Sequence, residues 1–573
     1  MTNARIAAVF SEIADLLEFQ GANPFRVRAY RNAARTIDDL PEQVATIAAD
    51  ASRKLTDVDG IGDDLADKIR TLLTTGNLPM LVELQSQVPQ SVMALLRVPG
   101  LGPKKAATLH KELSVNSLDE LRAACLAQKV RAIKGFGAKT EATILAGLQS
   151  AATAEKRLLW AEADEFVQAI LKHLRAVAGV RQCEAAGSYR RGKETVGDLD
   201  FLVVADDGAA VMDHLGKYAD VEQVIARGET KMSVLLAGRV QVDLRVVPEA
   251  SFGAALQYFT GSKDHNVVVR GKAKDLGLKV NEYGVFRGEE YVAGRTEEEV
   301  YAAVGLPWFP PELREARQEF EWAKQKKLPT LIEVDDIVGD LHMHTNATDG
   351  RDTLAAMIEA AQARGLEYIA ITDHSQRVSM AHGLNPERVL KQWAEIDAIN
   401  KQLKKFTILK GIEVDILEKG GLDLPDEVLA EADWVVASVH YGQSQPREQI
   451  TTRIVDALRN PHVSAVAHPT GRLLNRRAAY DVDLDAVMTT AREEGKFLEL
   501  NANPSRLDLD DVDCAAAQSR GIPIVISTDA HATTELAQMR YGILQARRAG
   551  LTKADVANTR PWSAMKKLLR RRQ

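Results

Sequence analysis

Two carboxylates, Asp198 and Asp200, stand one residue apart at the head of the apolar run Asp198-Leu199-Asp200-Phe201-Leu202-Val203. In a strand such a pair shares one face and can converge on a divalent cation. A third carboxylate, Asp243, sits in Val240-Gln241-Val242-Asp243-Leu244-Arg245-Val246-Val247, whose alternation and terminal Pro248 predict a neighbouring strand. Hard oxygen donors of this kind suit Mg²⁺, which keeps phosphate oxygens in its shell. A pair of such ions stabilises the attacking and leaving oxygens of an in-line displacement. Just upstream, Gly187-Ser188-Tyr189-Arg190-Arg191-Gly192 is a turn that offers phosphate its backbone N–H groups, a hydroxyl and guanidinium forks.

A second constellation lies beyond residue 340, where eight of the twelve histidines fall, most at the ends of short apolar runs. His342, His344, Asp349, His374, Glu413, His440, His468, Asp529 and His531 are the candidate ligands. Mixed imidazole and carboxylate suits Zn²⁺, Mn²⁺ or Fe, and His342-Met343-His344 places two rings on one strand face. Alternation of β-runs with helical segments predicts a barrel of parallel strands carrying these residues at its C-terminal ends. Spacing leaves the number of strands open. His382 and His462 fall outside the pattern, as surface residues. Arg472 and Arg476, after His468, suit either a substrate phosphate or a solvated loop.

A third feature is repetition. Val58-Asp59-Gly60-Ile61-Gly62, Val98-Pro99-Gly100-Leu101-Gly102 and Ile133-Lys134-Gly135-Phe136-Gly137 share one pattern, each ahead of a helical run. Glycines permit a tight turn whose amides, at a helix N-terminus, take a phosphate without reading a base. Three copies favour DNA-backbone contact. Arginines around aromatics in Pro24-Phe25-Arg26-Val27-Arg28-Ala29-Tyr30-Arg31 suit either that role or a solvated helix face.

The elements that must carry these groups are read from periodicity. Ile6, Val9, Phe10, Ile13 and Leu17 mark an amphipathic helix, Lys279–Phe286 alternates as a strand, and Glu312–Lys327 is a charged helix. A chain of 573 residues is too long for one core. Its 45% hydrophobic and 27% charged residues are globular values. A net charge of −7 excludes a general polyanion coat but not a local basic groove. Three scattered cysteines without a Cys-x-x-Cys point to a reducing cytoplasm. No signal-like leader or membrane-length apolar run is present, so no membrane partner is expected.

The Gly-Ser…Gly-Asp-Leu-Asp and Val-Asp-Leu-Arg motifs, with Tyr258-Phe259-Thr260-Gly261-Ser262, Asn266 and Arg270, resemble the family X DNA polymerases of the nucleotidyltransferase superfamily. The histidine set resembles the polymerase-and-histidinol-phosphatase (PHP) domain, and the glycine turns resemble helix-hairpin-helix motifs. Together they are similar to the bacterial and archaeal polymerase X proteins over essentially the whole chain. The resemblance implies that Asp198, Asp200 and Asp243 hold paired Mg²⁺ or Mn²⁺, and that Ser188, Arg191 and Gly197 bind the β and γ phosphates, with Gly187 also at the nucleotide. It places Tyr258 and Phe259 beside the sugar, Gly261 among the nucleotide-binding residues, and Asn266 at the minor-groove edge of the nascent pair. Lys156-Arg157 and Lys263 are further candidate cations for phosphate or base, and Gln241 departs from an arginine common in animal relatives.

For the fold it implies a multidomain α/β chain with a helical N-terminal DNA-binding region, an α+β nucleotidyltransferase palm and a distorted (β/α)7-type PHP barrel. The expected divisions are 1–85 and 86–153 for helical regions bearing the turns, with Gly60, Gly62, Gly100, Gly102, Gly135 and Gly137 on DNA. There follow a palm at 154–250, a thumb-like unit at 251–312, a linker at 313–337 and the PHP domain at 338–573. The implied activity is gap-filling synthesis in DNA repair. A metal-dependent 3′-to-5′ exonuclease, 3′-phosphatase or abasic-site endonuclease would hold up to three Mn²⁺, Zn²⁺ or Fe ions. Partners are gapped or primer-template DNA, deoxynucleoside triphosphates and other repair proteins. Lys68 occupies the position of a Schiff-base lysine in some relatives, but Asp63, Asp64 and Asp67 around it favour the charged ammonium and a plain surface role. Two rivals are a repair scaffold with vestigial centres, against which the filled ligand sets speak, and a nucleotidyltransferase on a non-DNA substrate, which the repeated turns disfavour.

Overall fold

The structure is a computed structural model that describes residues 3–38, 40, 44–50, 52–58, 60–88, 95, 98, 101–151 and 157–570. It divides into two compact units, residues 1–156 and 157–573.

The described secondary structure of the first unit is helical. α1 (Asn3–Phe19) buries Ile6, Val9, Phe10, Ile13 and Leu17, the stripe expected from spacing, against α2 (Pro24–Asp38). Phe10 meets Tyr30 edge-on at 5.6 Å. Asn23 Oδ1 accepts the Phe25 N–H at 2.9 Å and Pro24 pre-sets the first helical φ, which together start α2. Arg31 is consumed by Asp15 and Glu18, each at 2.7 Å, whereas Phe25, Arg26 and Arg28 remain exposed. Three further helices follow glycine turns: α3 (Asp63–Thr75), α4 (Pro103–Leu113) and α5 (Ala138–Ala151).

The second unit opens with α6 (Trp160–Arg175) and a five-stranded sheet in the order β1-β2-β5-β4-β3. These strands are β1 (Val180–Ala185), β2 (Asp198–Ala205), β3 (Val221–Arg227), β4 (Lys231–Leu236) and β5 (Val240–Val246). β2 and β5 run parallel and the other neighbours antiparallel. Leu199, Phe201 and Val203 point into a core shared with α6, while Leu202 and Val204, on the face of Asp198 and Asp200, pack under α8 (Phe252–Thr260). The short turn between β1 and β2 forms α7 (Gly187–Arg190).

Beyond α8 and α9 (Lys263–Asp275), the expected strand over Lys279–Phe286 is a hairpin of β6 (Lys279–Asn281) and β7 (Gly284–Arg287), joined by β8 (Glu290–Ala293). The break is local chemistry: Asn281 Oδ1 accepts the Tyr283 N–H at 2.9 Å, and Gly284 takes φ 152°. The charged stretch Glu312–Lys327 is likewise not one helix. Only α10 (Glu319–Gln325) is regular, and residues 313–337, expected as a linker, include fully buried Arg314, Glu319 and Ile332. Their charges are paired inside the fold: Glu297 takes Arg314 in two contacts of 2.6 and 2.9 Å, and Glu319 takes His265 at 2.9 Å.

The C-terminal part is a parallel sheet of seven strands in sequential order. These are β9 (Gly339–Asp340), β10 (Tyr368–Ile371), β11 (Thr407–Asp415), β12 (Trp434–Ser438), β13 (Ala465–Val466), β14 (Phe497–Asn501) and β15 (Ile524–Ser527). A Met343–Ala530 bridge brings the first and last strand ends together, so the sheet is a nearly closed barrel, as expected. α11 (Met539–Arg548) follows the last strand, and α12 (Trp562–Arg570) packs Met565 against barrel residues Tyr368, Trp434 and Phe497.

Candidate functional site

In the palm, the parallel register sets Asp200 directly opposite Asp243 and Asp198 opposite Gln241. The side of the palm is therefore shared by all three carboxylates, two from one strand and one from its neighbour. Burial, then repulsion from Asp198 and Asp243, pushes the Asp200 carboxyl up to about 7. Burial and Asp243 likewise raise Asp198, opposed by Arg157. Asp243 is buried too, but hydrogen bonds from Ser233 and Gln241 and the Lys231 ammonium outweigh that and hold it below the ordinary range. Gln241 Nε2 donates at 2.8 Å, Lys231 Nζ lies at 3.2 Å, and the Ser233 hydroxyl donates to the same carboxylate. Ser233 and Lys231 went unnoticed in the sequence; β4 as neighbour of β5 was the missing signal.

Gly187 has φ +65°, and a Cβ there would lie 2.5 Å from Asp200 Oδ2. A side chain is excluded on both counts, which brings the α7 backbone against the carboxylates. Ser188 is half-buried and Gly197 exposed, with Arg157 Nη1 2.9 Å from where a Gly197 Cβ would be. Lys156 lies outside the described residues. The two arginines of the turn are struts in this structure. Arg190 makes two contacts with Glu297, at 2.7 and 2.9 Å, and one with Thr260 at 2.8 Å. Arg191 donates to the Thr260 carbonyl and sits 3.1 Å from Glu315. Tyr258 and Phe259 are half-buried, edge-on at 5.1 Å, with the Arg245 guanidinium 4.3 Å over the Phe259 ring. Asn266 is buried and tied to Tyr258 O and Gln257 by bonds of 2.8 and 2.7 Å; Gly261 is buried and Lys263 exposed.

At the barrel's C-terminal end the histidine set converges. Three groups have ligand atoms all within 4.8 Å of one another: His344, Asp349, His374 and His531; His342, His344 and Asp529; and His374, Glu413 and His440. His468, outside those groups, has Nε2 3.0 Å from Glu413 Oε1. All nine ligands expected from the sequence thus surround one centre. No such group occurs in the palm, where the described carboxylates are more widely spread. His342 Nε2, His344 Nδ1 and Glu413 Oε2 are buried without a hydrogen-bond partner, an arrangement that fits metal donors and little else. The nitrogen facing the centre is set from behind: His342 Nδ1 lies 2.7 Å from Glu499, and His440 Nδ1 3.0 Å from Asp415. Those two carboxylates were missed because they sit inside apolar strands, Glu499 in β14 and Asp415 ending β11. Close histidines hold Glu413 and Asp529 ionised despite burial. Arg472 is not available to a substrate phosphate: it pairs with Glu194 at 2.7 Å and donates to the carbonyls of Arg506 and Leu507. Arg476 is exposed.

In the first unit the three glycine turns share their hydrogen bonds. The N–H groups of Ile61, Leu101 and Phe136 donate to Val58, Val98 and Ile133 at 3.0, 2.9 and 2.9 Å. The apolar residue between the glycines is buried each time. Gly62, Gly102 and Gly137 then begin α3, α4 and α5, and a Cβ on any of them would meet nothing within 4 Å. Gly60 and Gly135 have φ +79° and +91°; Gly100 lies outside the described residues. Lys68 pairs with Asp64 on α3.

A sheet bearing three carboxylates beside a glycine turn, joined to a barrel whose histidines and carboxylates could hold metal ions, defines the class of a nucleotidyltransferase with a second centre. Family models agree: DNA polymerase beta palm matches residues 157–237 and DNA polymerase beta thumb 255–315. Helix-hairpin-helix domain matches 1–78, SAM-like Helix-hairpin-helix tandem 92–150, and PHP domain 340–503. The chain is 40% identical over 570 residues to the DNA polymerase/3′-5′ exonuclease PolX of Bacillus subtilis, covering 99% of each, and it belongs to that family. The barrel region resembles proteins called probable phosphatases, 29% identical over 235 residues in Thermoanaerobacter sp. (39% of this chain, 91% of the relative). In Acetivibrio thermocellus the figure is 32% over 209 residues, 35% of this chain and 81% of the relative.

Proposed function

We propose that this chain fills short gaps during DNA repair and trims 3′ ends with its barrel. The observation that carries the reading is the pairing of Asp200 with Asp243 in register, beside a turn whose glycine lets backbone amides approach them. Asp198, Asp200 and Asp243 would hold Mg²⁺ or Mn²⁺, which supplies charge neutralisation at the attacking and leaving oxygens. The chain's own part is to orient. Ser188 and the α7 amides receive the β and γ phosphates, and Tyr258 and Phe259 flank the sugar; Asn266 meets the new pair only if it leaves Gln257 and the Tyr258 carbonyl. Arg191 acts on phosphate only if it leaves Glu315; as placed, it braces the turn. The glycine turns grip the DNA backbone without reading sequence.

In the barrel, His342, His344, Asp349, His374, Glu413, His440, His468, Asp529 and His531 would hold Mn²⁺, Zn²⁺ or Fe, which lowers the pKa of bound water. His344 and His374 belong to two groups each. A second reading of this centre, removal of a 3′-phosphate, is favoured by the likeness to probable phosphatases.

The test is a labelled gapped duplex, with and without a 3′-phosphate, in Mg²⁺ and then Mn²⁺. Asp198→Ala with Asp200→Ala should abolish nucleotide addition and leave hydrolysis. His344→Ala with Asp529→Ala should do the reverse; loss of both activities in either variant contradicts two separate centres.

A further inference from the structure

Helix α11 begins eight residues after His531, a candidate ligand of the barrel. Its positions 540, 541, 544, 545 and 548 recur at helical spacing and form one stripe. Every one of them meets the palm turn or what supports it. Arg540 lies 3.0 Å from Asp164 Oδ2, and Asp164 Oδ1 accepts the Tyr189 hydroxyl at 2.7 Å. Tyr541 packs edge-on to Trp160 at 5.9 Å; Trp160 stacks on Tyr189 at 5.0 Å and donates its indole N–H to the Tyr189 carbonyl at 2.8 Å. Leu544 fills the space a Gly192 Cβ would need, 2.6 Å away. Gln545 Nε2 donates to the Gly192 carbonyl at 3.0 Å, and Arg548 Nη1 to the Arg191 carbonyl at 2.7 Å.

The opposite face rests on the barrel. A Cβ on Gly542 would be 2.6 Å from Ile526 and 2.8 Å from Ala502, so the helix backbone lies directly on β15 and the end of β14. Asn501, beside Ala502, donates to Asp529 Oδ2 at 3.1 Å. Arg548 is anchored in turn by Glu315 at 3.0 Å and Asp511 at 2.6 Å.

A helix of four residues cannot hold its own shape, and the Arg191 and Gly192 carbonyls just beyond it are taken by Arg548 and Gln545. From this we infer that α11 is a positioning element of the nucleotidyl-transfer site. Gln545 and Arg548, carried by the barrel, hold the carbonyls that follow α7, so that the Gly187-Ser188 end is presented to the triphosphate. The barrel is thereby a working part of the polymerase centre. This rests on the reading of the turn as the phosphate holder.

The experiment measures KM for a deoxynucleoside triphosphate and kcat in gap filling for full-length Gln545→Leu, Arg548→Lys and Ser188→Ala, with Mn²⁺-dependent 3′ hydrolysis on the same preparations. Gln545→Leu keeps the volume and removes one donor. It should raise KM about fivefold, the size of one lost hydrogen bond, with kcat within about twofold and hydrolysis unchanged. Arg548→Lys should move KM in the same direction, and if that chain does not fold, Gln545→Leu decides alone. If Ser188→Ala raises KM and Gln545→Leu does not, the positioning role is wrong. If Ser188→Ala leaves KM unmoved, the phosphate reading itself fails. A parallel fall of synthesis and hydrolysis in Gln545→Leu marks a merely structural contact and also overturns the inference.

Discussion

Gly187 contributes no side chain, yet the palm centre is built around its absence. A methyl group there would press on Asp200 Oδ2 at 2.5 Å and would be strained at φ +65°. Gly187→Ala should therefore cost about a hundredfold in kcat/KM for nucleotide addition, the scale of an ångström of misplacement, while hydrolysis persists. Steady-state gap filling checks this. In the barrel the equivalent lever is Glu499, which accepts His342 Nδ1 and the His468 N–H, each at 2.7 Å. Glu499→Gln should weaken metal binding by about 10- to 100-fold, read by direct titration of the metal rather than by activity. The candidate carboxylates and histidines that the fold brings together were legible from residue type and spacing. Glu499, Asp415, Ser233 and Lys231 were not, since their importance comes from which strand lies next to which.

Among elements, the glycine turns separate fold from function. Gly62, Gly102 and Gly137 have open space around the missing Cβ and ordinary φ, so the protein itself does not require glycine there. Replacing all three by alanine should leave the melting temperature nearly unchanged and lower affinity for gapped duplex, because the methyl groups obstruct a phosphate at the helix amides. A salt titration of binding should lose slope as those contacts are lost; unchanged affinity and slope would remove the turns from the DNA interface. Helices and turns were readable here from a repeated apolar-glycine pattern. The hairpin at residues 279–287 and the packed segment 313–337 were not, for different reasons. One Asn281 turn breaks an otherwise regular alternation, and a charged stretch looks solvated until its buried partners are known.

At the scale of the molecule, palm and barrel are joined by charge. Glu315 is buried, which would raise its pKa, but Arg548, Lys193 and Arg191 overcome this and push it down to about 2 from an ordinary 4.5. The folded value is the depressed one, so this stabilisation is complete above pH 4.5 and is lost as pH falls toward 2. Thermal melts across that window should steepen in the parent chain and flatten in Glu315→Gln. An unaltered pH dependence in the variant would show that the junction does not rely on this carboxylate. Such pairing also explains why Arg472 and Arg191 are structural as placed: each is held by a glutamate across the junction or beside it.

Local chemistry alone announced two constellations of candidate metal ligands, a glycine turn suited to phosphate and three helix-hairpin-helix-type turns, because ligand identity and period-two alternation are properties of short stretches. The family followed from those motifs and from the alternation of strands and helices. What needed the folded chain was everything that depends on which segments become neighbours: the register that sets Asp200 against Asp243, the Met343–Ala530 bridge that brings the barrel's first and last strand ends together, and the seating of α11 on the palm turn. Those arrangements are chosen by packing and charge pairing between segments that are not adjacent in the chain, and no local pattern encodes which partner each segment meets.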